Sequence, residues 1–317
     1  MHPTALIVAG PTASGKSALA LWLARRLNGV IINADSMQVY SELRIVTARP
    51  TEADEYAAPH VLYGVRSAVE AGSVAWWRAA ALAEMEAARR LGKLPILCGG
   101  TGLYFASLTV GLVDIPPPAV AARKEARALL AVEGAAALHR RLSSVDPVTA
   151  GRLNPADGQR LARAYEVWRS TGRGLADWQS RPGMPAPWNF AAIRLDPPRE
   201  NLRSAIASRF DAMLGQGVLA EVEEFLDLGL DPALPAMRAH GVPEIGAHLR
   251  GEISLAIAAT RIGIVTSQYT KRQTTWLRHH VLAENQRMHK IHARFTGLTQ
   301  FSEIEQRGLE SFINSIA

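Results

Sequence analysis

The sequence predicts an α/β fold: a P-loop-type parallel sheet flanked by helices, with an all-helical insertion domain. Three observations carry this prediction. An apolar run at residues 5–9 leads directly into Gly10-Pro11-Thr12-Ala13-Ser14-Gly15-Lys16-Ser17, the pattern G-x-x-x-x-G-K-[ST] with a strand before it and a helix after it. Short apolar runs then alternate with helical periodicity through the first third of the chain, as parallel strands joined by crossover helices do. From Pro116-Pro117-Pro118 to about Trp178 the patterning is helical throughout and rich in Ala, Leu and Arg.

The elements follow in order. Residues 16–27 form a helix whose positive dipole end faces the glycine loop. Residues 30–34 are a second strand, ending at Asp35. Residues 74–91 place apolar side chains at helical spacing, with Glu84, Glu86, Arg89 and Arg90 on the opposite face. Residues 95–98 are a buried strand, and Gly99-Gly100-Thr101-Gly102 turns into a helix over 103–108. The stretch 181–188 holds three prolines and a glycine and reads as a linker. A strand follows at 190–195, then helix from Glu200 onward. A long helix over 255–280 carries Arg261, Lys271, Arg272 and Arg278. Residues 288–295 alternate like a strand, and the tail after Ser302 shows no pattern. The expected organisation is a core of 1–114 with 189–317, and a helical insertion at 115–188.

Composition narrows the function classes. Of 317 residues, 48% are hydrophobic and 20% charged, ordinary for a globular chain. No apolar stretch reaches the ~18 residues that span a bilayer, and residues 1–8 lack the charged start and long apolar run of a signal peptide. Cys98 is the single cysteine and lies in an apolar strand, which fits a core thiol in a reducing, cytoplasmic setting. The formal net charge of +6 fits a polyanionic partner. No obligate protein partner is indicated.

The glycine loop defines the first chemistry. Its backbone curls so that successive N–H groups point at an anion, Lys16 adds a point charge, and the Ser17 hydroxyl is a ligand for Mg²⁺. A diphosphate or triphosphate is therefore expected near Ser14. In a parallel sheet, ligands bind beyond the carboxyl ends of the strands. The loop, Asp35 and Thr101 each follow a strand and should line one crevice. There Asp35 suits a general base or an outer partner of a metal, and the Thr101 turn suits stabilisation of a developing oxyanion. Lys271, Arg272 and Arg278 interleave with Gln273 and Trp276, a mixture that takes phosphates and stacks on unpaired bases. In the insertion, Gln159, Arg160, Leu161, Ala162 and Arg163 open a helix with two arginines on one face. A nucleotide-binding P-loop with an arginine-bearing lid also describes a small-molecule kinase using ATP.

Taken together these segments resemble the bacterial tRNA dimethylallyltransferases, also called tRNA isopentenyltransferases. The likeness rests on the glycine loop, Asp35-Ser36-Met37-Gln38-Val39-Tyr40, Gly99-Gly100-Thr101-Gly102-Leu103-Tyr104, residues 157–167, and Gln268-Tyr269-Thr270-Lys271-Arg272-Gln273 with Thr275-Trp276-Leu277-Arg278. The resemblance implies transfer of a dimethylallyl group from dimethylallyl diphosphate to the exocyclic amine of the adenosine just 3′ of the anticodon. It implies that Asp35 is the general base and that Thr101 bonds near the bridging oxygen. Gly10, Thr12, Ala13, Ser14, Gly15, Lys16 and Ser17, with Mg²⁺, would hold the diphosphate. The tRNA anticodon stem-loop would meet Asp35, Ser36, Met37, Gln38, Thr101, Arg123, Gln159, Arg160, Leu161, Ala162, Arg163, Arg238, Lys271, Arg272, Gln273, Trp276 and Arg278. The chain departs from the family pattern at His240-Gly241-Val242-Pro243-Glu244, which lacks the usual aromatic and following basic residue. It also departs at Val46-Thr47-Ala48-Arg49-Pro50, where Val46 replaces a glycine and Arg49 a lysine.

Overall fold

The computed structural model describes residues 2–316. Contacts divide the chain into two compact units, Met1–Thr109 with Ala186–Ala317, and Val110–Pro185.

The first unit is built on strand β1 (Thr4–Ala9), five of whose six residues are buried. The glycine loop then leads into α1 (Lys16–Arg26), which buries Leu19, Ala20, Leu23 and Ala24. β2 (Gly29–Asn33) is followed by a short capped helix α2 (Glu52–Ala57), β3 (His60–Val61) and α3 (Val74–Arg90). β4 (Leu94–Gly99) turns into α4 (Gly102–Thr109).

The second unit contains α5 (Val120–Val145), α6 (Pro147–Ala150), α7 (Gly158–Thr171) and α8 (Leu175–Gln179). α5 and α7 bury Ala126, Leu138, Leu142, Leu161 and Tyr165 between them. Gly134 sits at φ 79° and breaks α5 into two helical pieces. The carboxylate of buried Asp146 accepts from the backbone N–H groups of Thr149 and Leu175, tying α6 to α8.

The chain returns to the first unit through β5 (Asn189–Leu195), α9 (Arg199–Gly215), α10 (Val218–Asp227), α11 (Val242–Leu249) and α12 (Leu255–His279). β6 (Met288–Ile291) and α13 (Glu303–Asn314) complete it.

The strands form one six-stranded sheet in the order β3-β2-β4-β1-β5-β6, and every pairing is parallel. The sheet has an apolar layer on each face. Trp77, Met85, Phe105 and Leu277 pack with one face, and Leu19, Leu23, Leu309 and Ile313 with the other. The expected P-loop-type parallel sheet with flanking helices is the observed one. Because all strands run the same way, the segments after β1, β2, β4, β5 and β6 emerge along one edge.

Two expectations about the tail change. The strand expected over 288–295 ends at Ile291, and the chain then leaves the sheet toward the glycine loop. The tail after Ser302 is helical: the Ser302 side chain accepts from the Glu305 N–H, and the Glu305 carboxylate accepts from the Ser302 N–H. That capping box was present in the sequence as Ser302-x-x-Glu305.

Candidate active site

The glycine loop owes its shape to left-handed residues. Ala13 has φ 65° and Gly15 φ 85°, and the Ser14 N–H donates to the Pro11 carbonyl at 3.1 Å. Gly15 is irreplaceable on two counts. Its φ disfavours any side chain, and a Cβ there would lie 2.0 Å from the Phe295 carbonyl oxygen. Ser14 is fully buried and its Oγ finds no hydrogen-bond partner among the described residues. Lys16 is 9% exposed. Burial pulls its pKa below the ordinary 10.5, with Asp35 acting in the opposite direction. The Ser17 hydroxyl, one residue on, is on an exposed residue. Cys98 is buried beneath the loop, and desolvation raises its pKa to about 11, which keeps it a thiol.

Asp35 follows β2. One carboxylate oxygen accepts from the Met37 N–H at 3.0 Å, and its own N–H donates to the Asn33 side chain at 2.8 Å. This turn fixes the carboxyl group at the strand end. Thr101 Oγ1 accepts from the Ser36 N–H at 3.0 Å, so the Asp35 and Thr101 turns are joined. The Tyr269 hydroxyl lies beside the Thr101 and Gln273 side chains. Burial lifts its pKa to about 12, with Asp35 adding to the rise.

One pocket in this unit is walled by Thr12, Lys16, Asp35, Gln38, Arg209 and Tyr269. Its other walls are Val46, Ile206, Phe210, Met213 and Ile262. The lining therefore combines charged groups with apolar surface. Arg209 was not anticipated from the sequence. It reaches the pocket from α9, and its guanidinium donates to the Thr47 carbonyl at 3.1 Å. Burial lowers its pKa, opposed by the Asp35 carboxylate. In the sequence it is one arginine of a solvated-looking helix. His240 also lines the pocket, edge-on to the Tyr269 ring at 4.6 Å. Burial pushes its pKa below 6.5.

The loop between Leu43 and Pro50 forms the pocket's lip. The Glu221 carboxylate, from α10, accepts from the backbone N–H groups of Arg44, Ile45 and Val46. Both Gln38 amide hydrogens go to the Thr47 and Ala48 carbonyls, at 2.9 and 2.8 Å. The left-handed residue of this lip is Ala48, at φ 50°, not Val46. Val46 is 6% exposed, and its Cγ2 occupies the space a Cβ on Gly241 would need. Arg49 turns away from the pocket to the Ser41 carbonyl at 3.2 Å.

The residues expected at RNA divide. Lys271, Arg272 and Arg238 are exposed on the first unit, and Arg123, Gln159 and Arg160 on the second. Arg160 pairs with Asp157, and Arg163 lies 3.9 Å from Glu166. Leu161 and Ala162 are buried in the helical core of their unit, so their side chains serve packing. Arg278 forms a two-pronged pair with buried Asp196, at 2.8 and 2.9 Å. The Trp276 ring covers Gly102, where a Cβ would lie 2.2 Å away, and stacks on His280 at 3.9 Å.

Gln273 is corrected most clearly. It is 4% exposed. Its carbonyl accepts from the Thr12 N–H at 2.8 Å and its amide donates to the Gly100 carbonyl at 3.1 Å. The side chain therefore bridges the glycine loop and the Thr101 turn, and is not presented to a ligand outside. Gln273→Leu removes the partner of both backbone groups. A loss of about 2–4 kcal/mol in denaturant unfolding is expected from two unmet groups, with unchanged stability as the contrary result.

The parallel sheet and the glycine loop at the end of its first strand place the chain among P-loop proteins. The IPP transferase family model matches residues 38–280, beginning just after the loop and Asp35. A "tRNA dimethylallyltransferase" of Granulibacter bethesdensis is 55% identical over 312 residues, covering 98% of both chains. One of the same name from Acidiphilium cryptum is 58% identical over 311 residues, covering 98% of this chain and 94% of its own. The crystal structure of a full-length tRNA isopentenylpyrophosphate transferase from Bacillus halodurans superposes with TM-score 0.68 at 29% identity, covering 100% of this chain and 98% of that one. A eukaryotic dimethylallyltransferase described as acting on tRNA gives TM-score 0.81 at 25% identity, covering 99% of this chain and 80% of that one. The chain belongs to the IPP transferase family.

Proposed function

We propose that this enzyme transfers the dimethylallyl group of dimethylallyl diphosphate to the N6 amine of the adenosine 3′-adjacent to the anticodon (position 37), in tRNAs reading codons that begin with U. The observation that carries the reading is the mixed lining of the pocket. A buried ammonium, a guanidinium and a carboxylate share it with Val46, Ile206, Phe210, Met213 and Ile262. That suits a diphosphate joined to a branched C5 chain. A small-molecule kinase has less use for the apolar side chains.

The reaction follows from these placements. Loop N–H groups and Lys16 grip the diphosphate, with Arg209 across the pocket. The C1–O bond breaks as the bridging oxygen takes the electron pair, which the surrounding cations stabilise. The adenine amine attacks C1 and forms the C–N bond. Asp35 accepts the amine proton, and Thr101, held by the Ser36 N–H, bonds near the bridging oxygen. The target base must leave its stack to reach the pocket, as in other base-modifying enzymes. The Ser17 hydroxyl, beside the buried Lys16, fits a Mg²⁺ ion, which takes one or two protein oxygens and completes its shell with substrate phosphates and water. Such an ion would neutralise leaving-group charge. Arg123, Gln159, Arg160, Arg163, Arg238, Lys271 and Arg272 are the proposed tRNA contacts, with the helical insertion as a tRNA-contacting domain. The proposed setting is cytoplasmic. Among the described residues no helix is long and apolar enough to cross a membrane.

The test is to supply labelled dimethylallyl diphosphate, Mg²⁺ and unmodified tRNA, beside the same tRNA with guanosine at the target position. Label in the first RNA alone is the expected result. ATP turnover with unlabelled RNA returns the kinase reading.

Lys16 sets a pH dependence. Diphosphate favours the protonated ammonium, so binding raises a pKa that burial holds below 10.5 in the free protein. Affinity for pyrophosphate should fall as pH rises through the free-protein value, with proton uptake on binding in the window that opens above it. Calorimetry in two buffers of different ionisation enthalpy reads this uptake, and its absence across the window contradicts the placement. In the same window the free protein gains stability with rising pH, because the unfolded chain holds the Lys16 proton more tightly than the folded one.

A further inference from the structure

We infer that Arg294 is a positioning residue for the diphosphate site, the working part of a strap from the far end of the chain that sets the glycine loop. This rests on the reading of that loop as the diphosphate cradle. After β6 the chain crosses to the loop. The Arg294 Nε–H donates to the Ala13 carbonyl at 2.9 Å, and the Phe295 N–H donates to the Ser14 carbonyl at 2.9 Å. The Phe295 carbonyl fills the space beside Gly15 that any Cβ would need. Three consecutive loop residues are thus gripped by two consecutive residues of the strap.

The strap is itself held in shape. The Gln300 amide donates to the Arg294 carbonyl at 2.7 Å, and its oxygen accepts from the Thr296 N–H at 2.8 Å. The Phe295 side chain is 4% exposed and packs near Phe301 in the apolar layer that includes Leu19 and Leu23 of α1. The strap is therefore anchored to the same layer as the helix that follows the loop.

The physical consequence lies in peptide orientation. A peptide plane is rigid, so a carbonyl drawn outward turns the N–H of the next residue to the opposite side. Holding the Ser14 carbonyl on the strap side turns the Gly15 N–H away from the strap, while the Ser14 N–H, opposite the Ala13 carbonyl, closes the loop onto the Pro11 carbonyl. Of the two left-handed residues Ala13 and Gly15, Ala13 carries the strain, because glycine adopts this conformation freely. Arg294 supplies a charge-assisted bond to the first of them. Its guanidinium also puts a positive charge behind the cradle, where it favours an anion in front.

The experiment measures pyrophosphate binding in the presence of Mg²⁺, tRNA binding, and the thermal midpoint, for the full-length protein and for Arg294→Ala and Arg294→Lys. The wild-type chain binding no pyrophosphate would end the cradle reading itself. With wild-type binding present, Arg294→Ala should weaken pyrophosphate by about tenfold, the scale of one charge-assisted hydrogen bond. tRNA affinity and thermal midpoint should stay near the wild type, and Arg294→Lys should recover part of the loss. Pyrophosphate affinity in Arg294→Ala within about twofold of the wild type overturns the inference, since a bond of this kind contributes more than that. So does a parallel loss of pyrophosphate, tRNA binding and thermal midpoint, which marks a general packing role.

Discussion

Asp35→Asn should lower the single-turnover rate by about 10²–10⁴, the range a positioned general base contributes, while tRNA still binds. The substitution is close to isosteric. The new amide oxygen can still accept from the Met37 N–H, so the turn after β2 has no cause to rearrange. What disappears is the proposed acceptor of the amine proton. The Asp35 charge also acts on Lys16 and Arg209, both of which it favours in their protonated forms. Removing it leaves the pocket's cations without a counter-charge. Donor and pyrophosphate affinity in Asp35→Asn should therefore match or exceed the wild type. A variant that loses donor affinity but keeps its rate on bound substrate would assign Asp35 to binding and leave the reaction without its base.

Lys16→Ala is expected to act on the other half of the reaction. A buried ammonium meeting a diphosphate in a site poor in water contributes a charge-assisted bond, so donor affinity should fall by about 10- to 100-fold. The free protein should not be destabilised. Lys16 is 9% exposed and its charged form is disfavoured by burial, so truncation relieves a cost present before substrate arrives. Weakened pyrophosphate binding with an unchanged or raised thermal midpoint is the expected pair of results. Unaltered affinity would show that the loop amides and Arg209 hold the diphosphate without it.

The candidate site was legible in the sequence where side chains sit at the end of a strand. A glycine loop, Asp35 and Thr101 each follow an apolar run, and parallel topology alone brings three distant segments to one edge. What could not be read depends on which way a helical side chain faces. Gln273 sits among cations and an aromatic, a composition suited to RNA, yet its place on α12 turns it onto Thr12 and Gly100. Leu161 and Ala162 fall between arginines in sequence but on the core side of α7, which their apolar character alone indicated. Arg209 and Glu221 lie on α9 and α10 and meet the pocket and its lip only through tertiary packing. The Arg294–Phe295 strap is invisible to any local pattern, because its contacts are backbone carbonyls at the opposite end of the chain. α13 was missed, although Ser302-x-x-Glu305 stands in the sequence as its capping box.

The proposed reaction couples two halves, a diphosphate released into the cradle and a proton removed from a base, and they should run in step. The direct measurement is the ratio of pyrophosphate released to dimethylallyl groups fixed in tRNA, with the modified nucleoside located by digestion and mass spectrometry. The account predicts one pyrophosphate per prenylated adenosine, all of it next to the anticodon, and no dependence on ATP. Pyrophosphate release without nucleoside modification, or prenyl groups on other bases, would contradict it.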